Sequence, residues 1–226
     1  MAQIYHKYYD ISTLIYKTKI DTQEVKNILR QTNQDDVRDK LFEHLFETYK
    51  TFEKYNLKQL HFHTVDNKSL LRFHRPDKYG DSLAGVRQTV EYVNRHKVPI
   101  DGFEEGKIYN GFRFVYPIFD DGLYLGSVEV SFSVLYVLEE FINTFGYKTD
   151  FFIQKGVVNS KLMKDELGNY VQSALKDFFI EKSVFDKIHS AHKNISFCNR
   201  NQQRLEELNK LAIESKIGRA SCRERV

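Results

Sequence analysis

The chain has no tryptophan, only three prolines and two methionines, and only two cysteines in 226 residues. So few prolines, beside abundant tyrosine and phenylalanine, give little sign of a disordered chain. Two cysteines make neither a disulfide framework nor a four-thiolate metal set. No apolar run reaches the roughly 18 to 20 residues that span a bilayer, and the opening MAQIYHKYYD lacks the apolar core of a secretion signal. The motifs of common hydrolytic and nucleotide chemistry are missing as well: there is no GxSxG elbow, no phosphate-cradling GxxxxGK loop and no HExxH. A catalytic role for this stretch therefore has little to rest on, and no cofactor is implied.

The last ten residues, IGRASCRERV, resemble a sequencing adapter translated in frame, and residues 217–226 are set aside as an adapter-derived tail. The expectation is that the chain is a fragment ending at about Lys216. The tail carries three arginines against one glutamate, so the formal charge of +3 falls to +1 without it. Lysines alternate with acids elsewhere, forming no basic stripe, and nucleic acid is not an expected partner. Cys222 leaves with the tail, and Cys198 alone makes no site.

What is present is aromatic mass, with 18 phenylalanines and 14 tyrosines, enough to build a core. From Asp21 to Tyr55, apolar residues recur at threes and fours (Val25, Ile28, Leu29, then Val37, Leu41, Leu45, Phe46, Tyr49 and Phe52). This predicts a long amphipathic helix, interrupted near Asn33 to Asp36. Leu57–Thr64 and Lys68–Arg75 read as strands joined at Asp66-Asn67, and Asp121-Gly122 joins Tyr109–Phe119 to Leu123–Phe132 in a second hairpin. Leu83–His96 has helical spacing. After Ser133 the chain reads as mostly helical, with a short strand at Lys148–Gln154 and helices over 159–176, 177–192 and 201–215. Helices on an antiparallel sheet make an α+β domain.

Strand periodicity then collects chemistry. Residues two apart share a face. His61 and His63 therefore separate from Leu60 and Phe62, Arg72 and His74 from Leu71 and Phe73, Arg113 from Phe112 and Phe114, and Glu129 from Val128 and Val130. The polar face is expected to look toward the segment Pro76–His96. Arg72 and Arg113 are the first candidates there, because a planar guanidinium donates two parallel hydrogen bonds to a carboxylate or phosphate. His74, His61, Glu129, Tyr109 and Tyr92 complete the candidate ligand-binding set. The competing reading is a structural network in which Arg72 and Arg113 pair with Glu129 across the sheet and need no ligand. Three histidines and a carboxylate would suffice for zinc, but with no cysteine partner and no helical HxxxH spacing, no metal is expected.

The strings LHFHTVDNKSLLRFHRPDKYGDSL and GFEEGKIYNGFRFVYPIFDDGLYLGSVEVSFS carry a family resemblance, most specifically in the FHRP turn and the GS-EVS strand. They resemble Cache domains, PAS-like extracytoplasmic sensors, and are most similar to the double-Cache sensors of bacterial histidine kinases, diguanylate cyclases and chemoreceptors. The resemblance implies a long N-terminal helix packed on a PAS-like antiparallel sheet, followed by a truncated, mostly helical second module. On this basis residues 1–56 are expected to form a helical stalk, 57–133 the sensor module and 134–216 part of a membrane-proximal module. The implied role is extracytoplasmic sensing of a small molecule, such as a carboxylate or amino acid, in a non-catalytic region. The implied parent is an inner-membrane-anchored, homodimeric receptor, with this region periplasmic. The alternative is a PAS-like structural or dimerisation module with no ligand.

Overall fold

The helical stripe predicted near the N-terminus forms in segments. The computed structural model describes residues 2–106, 110–148, 150–162, 164–190, 202–214 and 224–225. Helix α1 (Ala2–Ile15) runs into a π-helical turn (Tyr16–Ile20), and α2 (Gln23–Leu29) and α3 (Gln34–Glu53) follow. The expected interruption falls where Asn33 caps α3, its side chain accepting from the Asp35 amide at 3.0 Å, with Asp35 and Asp36 in the first turn. Val37, Leu41, Leu45 and Tyr49 are the buried face of α3.

Strands β1 (Leu57–His63) and β2 (Ser69–Arg72) form the first hairpin, with Asn67 at φ +61. Helix α4 (Gln88–His96) is shorter than its sequence signal, since 83–87 turns before the helix begins. Then come β3 (Ile100–Glu105), β4 (Asn110–Asp120) and β5 (Leu123–Phe132). Both turn residues between β4 and β5 have positive φ, Asp121 at 49° and Gly122 at 77°, which is what a tight hairpin with the right-handed twist requires. The five strands form one sheet in the order β2-β1-β5-β4-β3.

One face of that sheet is apolar and packs on the N-terminal helices. Tyr8 lies on Phe132 with ring centroids 4.7 Å apart, Tyr16 stacks on Tyr116 at 4.4 Å, and Tyr49 and Phe42 meet Phe73. Leu60, Phe62, Phe114, Val128 and Val130 are fully buried beneath them. By its contacts the chain divides into one unit of residues 1–104 and 110–133 and a second of 105–109 and 134–226.

In the second unit α5 (Val134–Phe145), β6 (Tyr147–Lys148), β7 (Ile153–Gln154), α6 (Lys155–Lys161) and a 3-10 turn (Lys164–Asn169) precede β8 (Tyr170–Gln172), β9 (Phe178–Glu181), α7 (Lys182–Ser190) and α8 (Gln202–Glu214). A three-stranded antiparallel sheet runs β7-β9-β8. The helices expected over 159–176 and 177–192 are thus interrupted by strands. In β9, Phe178 and Ile180 are buried while Phe179 and Glu181 are less so, a period of two that overrides the helical reading of these apolar residues. No helix among the described residues is long and apolar enough to cross a membrane.

Candidate functional site

The opposite face of the five-stranded sheet is polar and closed from solvent. On β1, Gln59, His61 and His63 stand opposite Ser131, Glu129 and Ser127 of β5. Arg72 of β2 is opposite His61, and Arg113 of β4 is opposite Ser131. Cross-strand partners share a face, so the register itself gathers these side chains. Arg72, Arg113, His61, His63 and Glu129 are each no more than 5% exposed.

Their charges are paired. The Glu129 carboxylate accepts from Arg113 Nη1 and from Arg87 Nη2. Arg87 Nε donates to Glu104 at 2.8 Å, and Glu104 also accepts from the Thr89 amide at 3.0 Å and the Thr89 hydroxyl at 2.7 Å, at the start of α4. Arg113 further donates to the Glu104 carbonyl at 3.2 Å and to Gln59 Oε1 at 3.3 Å. Two arginines and two glutamates thus form one buried quartet. Arg72 pairs with neither glutamate. Its guanidinium forks onto Asp81 at 2.7 and 3.1 Å and donates to the Lys78 carbonyl at 2.6 Å, tying the 76–87 segment down over the sheet. Asn94 of α4 fastens the other side, donating to the Thr64 carbonyl at 2.9 Å and to Asn67 at 2.8 Å.

Burial would raise the Glu129 carboxyl, but Arg113 and Arg87 outweigh it and hold the acid well below the usual carboxylate range. Arg87, which burial alone would make less basic, is held charged by Glu129 and Glu104. The histidines go the other way. Desolvation, reinforced by Arg87 and Arg72, depresses His63 to about 3 against the pull of Glu129. His74 falls to about 3 for the same reason, with Arg72 and Arg113 adding to burial, and His61 lies well below its ordinary value. Three neutral imidazoles therefore border a charge-balanced quartet.

Of the candidates read from the sequence, the structure brings Arg72, Arg113, His61 and Glu129 onto this face, with His74 just past the end of β2. Tyr92 lies elsewhere. It is 40% exposed on α4, against His96, while Val90, Val93 and Asn94 are the buried positions of that helix. Tyr109 is outside the described residues. Sequence reasoning did not find Arg87, Glu104 or Asp81. Arg87 sits in what reads as the interior of a helix, and Glu104 in a short strand whose only sequence signal is flanking glycine. Gly126 also serves the site: its φ is +124, and a Cβ there would lie 2.3 Å from the His63 carbonyl oxygen, so only glycine lets β5 approach β1 closely enough to set Ser127 beside His63.

The profile of a family described as the double sensory domain of two-component sensor kinase matches residues 2–183. Comparison with curated proteins finds no match. Among solved structures, the Escherichia coli DcuS sensor domain is similar at 12% identity and a TM-score of 0.48, covering 62% of this chain and 98% of that one. The extracellular domain vpHK1S-Z8 gives 14% identity and 0.47, covering 68% of this chain and 62% of that one. The isoleucine-bound sensory domain of the Campylobacter jejuni chemoreceptor Tlp3 gives 13% and 0.44, covering 68% and 64%. The chain thus spans somewhat less than two thirds of the length of the latter two.

Proposed function

We propose, from the premise that this chain belongs to the double sensory domain family of two-component sensor kinases, that it is the extracytoplasmic small-molecule sensing region of a bacterial transmembrane receptor. The ligand binds on the polar face of the five-stranded sheet, beneath the 76–87 segment and α4. The parent is membrane-anchored and homodimeric, its output a kinase, a cyclase or a chemotaxis signal.

One observation carries this reading. Two arginines, two glutamates and two histidines are buried on one sheet face, and a third arginine, Arg87, reaches them from the turn-rich segment that roofs the face together with a short helix. Stability alone does not account for such a layer, because replacing buried ion pairs by well-packed apolar groups is often neutral or stabilising by about 1–4 kcal/mol. A face that must exchange partners does account for it. A ligand carboxylate that takes the fork of Arg72 competes with Asp81, whose side chain is 30% exposed at the rim. Releasing Asp81 releases the 76–87 segment with it. The switch is then a population shift between two pairings of the same guanidinium, with the segment held through Asp81 or freed by the ligand, and the helices packed on the opposite face move with the sheet.

The test is a thermal melt of the full chain against a panel of carboxylates and amino acids. A ligand at 100 times its dissociation constant adds about 2.7 kcal/mol to the folded state. At least one compound should raise the Tm of the wild type and leave Arg72→Gln unmoved. If no compound acts while dilution lowers the Tm, the quartet is an internal brace in a dimerisation module and the sensing role falls.

A further inference from the structure

His61 and His63 lie two apart on β1, and their rings meet edge to face with centroids 4.2 Å apart. Each ring engages a serine through one nitrogen: His61 Nε2 with Ser69 Oγ at 2.9 Å, and His63 Nδ1 with Ser127 Oγ at 3.0 Å. The other nitrogen of each, His61 Nδ1 and His63 Nε2, is buried with no hydrogen-bond partner among the described residues. A buried polar atom left so is destabilising.

A neutral imidazole whose N–H points at a hydroxyl presents a lone pair on its second nitrogen, the form in which histidine ligates a metal, and the outer partner fixes the tautomer. One ring nitrogen from each histidine and one Glu129 oxygen lie within 4.8 Å of one another. The register accounts for this: His61 is the direct cross-strand partner of Glu129.

We propose that His61, His63 and Glu129 are a binding site for a transition-metal cation of the zinc class. The surrounding charges select the ion. Arg87 and Arg113 balance Glu104 and Glu129, and Arg72 balances Asp81, so no net negative field draws a dication in. Affinity must come from short bonds to imidazole nitrogen, which favours Zn2+, Ni2+ or Cu2+ over Mg2+ and Ca2+, whose sites are built from oxygen. Turning one Glu129 oxygen toward a cation strands neither arginine. Arg87 keeps Glu104 at 2.8 Å, and Arg113 keeps Gln59 and the Glu104 carbonyl. Three protein ligands leave a fourth position open for a small molecule. The site stands whether or not the metabolite reading does.

The test uses the untagged full chain, stripped with a chelator and dialysed against Zn2+ or Mg2+. The expected result is one zinc retained per chain, a raised Tm with Zn2+ and none with Mg2+, and the visible absorption of a four-coordinate ion on Co2+ loading. His61→Gln and His63→Gln should lose the zinc, whereas replacing exposed His44 should not. If the glutamine variants fail to fold, Ser127→Ala decides. It leaves all three ligands in place but removes the partner of His63, and should weaken zinc binding about 10- to 100-fold. Substoichiometric zinc on the wild type, or zinc held equally by the histidine variants or by Ser127→Ala, overturns the proposal.

Discussion

Replacing Glu129 by glutamine probes the polar face at its centre. The substitution keeps the size and one acceptor of the side chain but removes the charge that Arg113 and Arg87 share. Glu129 is fully buried, Arg113 is 1% exposed, and Arg87 is 4% exposed, so solvent does not screen the loss. Breaking a buried pair from one side costs about 3–5 kcal/mol, because the partner's charge is left uncompensated. Glu104 still holds Arg87, which places the expected cost near the lower end, about 3 kcal/mol, or roughly 10 °C in Tm for a unit of this size. The chain has no tryptophan, so urea unfolding is followed by tyrosine emission, with hydrogen exchange in β1 and β5 reporting the first unit separately. The double variant Arg113→Met/Glu129→Leu removes both partners and should recover at least half of the loss. A Glu129→Gln protein within about 1 kcal/mol of wild type would refute the reasoning, since a cost that small belongs to an exposed pair in water.

Further outcomes follow from the same geometry. In chelator-treated protein, stability should fall as pH drops from about 6.5 toward 3. The folded values of His63 and His74 are depressed to about 3, so across that window the unfolded chain binds more protons. The slope is about 1.4 kcal/mol per pH unit for each histidine. Urea midpoints at pH 7.0 and 5.5 measure it, and His63→Gln/His74→Gln should reduce it, leaving the share contributed by buried His61, which is also held well below its ordinary value. Glu129 contributes in the same direction only below the ordinary carboxylate range. Gly126→Ala should destabilise by at least about 1–3 kcal/mol through backbone strain, with overlap onto the His63 carbonyl in addition, whereas Gly156→Ala, with nothing within 4 Å of the new Cβ, should not. Asn33→Ala removes the cap of α3 and should cost about 1 kcal/mol by urea unfolding.

The elements legible in the sequence were those in which pattern and packing agree. The α3 stripe follows from its one buried face, the alternation of β1, β2, β4 and β5 from an apolar face against the helices opposed by a polar one, both buried, and the interruption at Asn33 and the Asp121-Gly122 turn from cap and turn chemistry. Because the alternation was legible, so was the gathering of Arg72, Arg113, His61 and Glu129 on one face. Which charges pair was not legible. Arg87 and Asp81 reach the face from a turn before α4 whose path no periodicity encodes, and Glu104 reaches it from a strand with no clear alternation. The sequence alternative that Arg113 pairs with Glu129 describes what is seen, while Arg72 takes Asp81, a loop residue. In β9, FFIE carries too few residues to distinguish a strand from a helical anchor, and burial in a small sheet decided its form.

The central claim is that the polar sheet face beneath residues 76–96 takes up a small molecule. Hydrogen exchange of the full chain, with and without the panel compound giving the largest thermal shift, tests it most directly. Slowed exchange concentrated in β1, β2, the 76–96 segment, β4 and β5, and lost in Arg72→Gln, is the predicted result. Slowing confined to residues 134–190, or none with any compound, would contradict it.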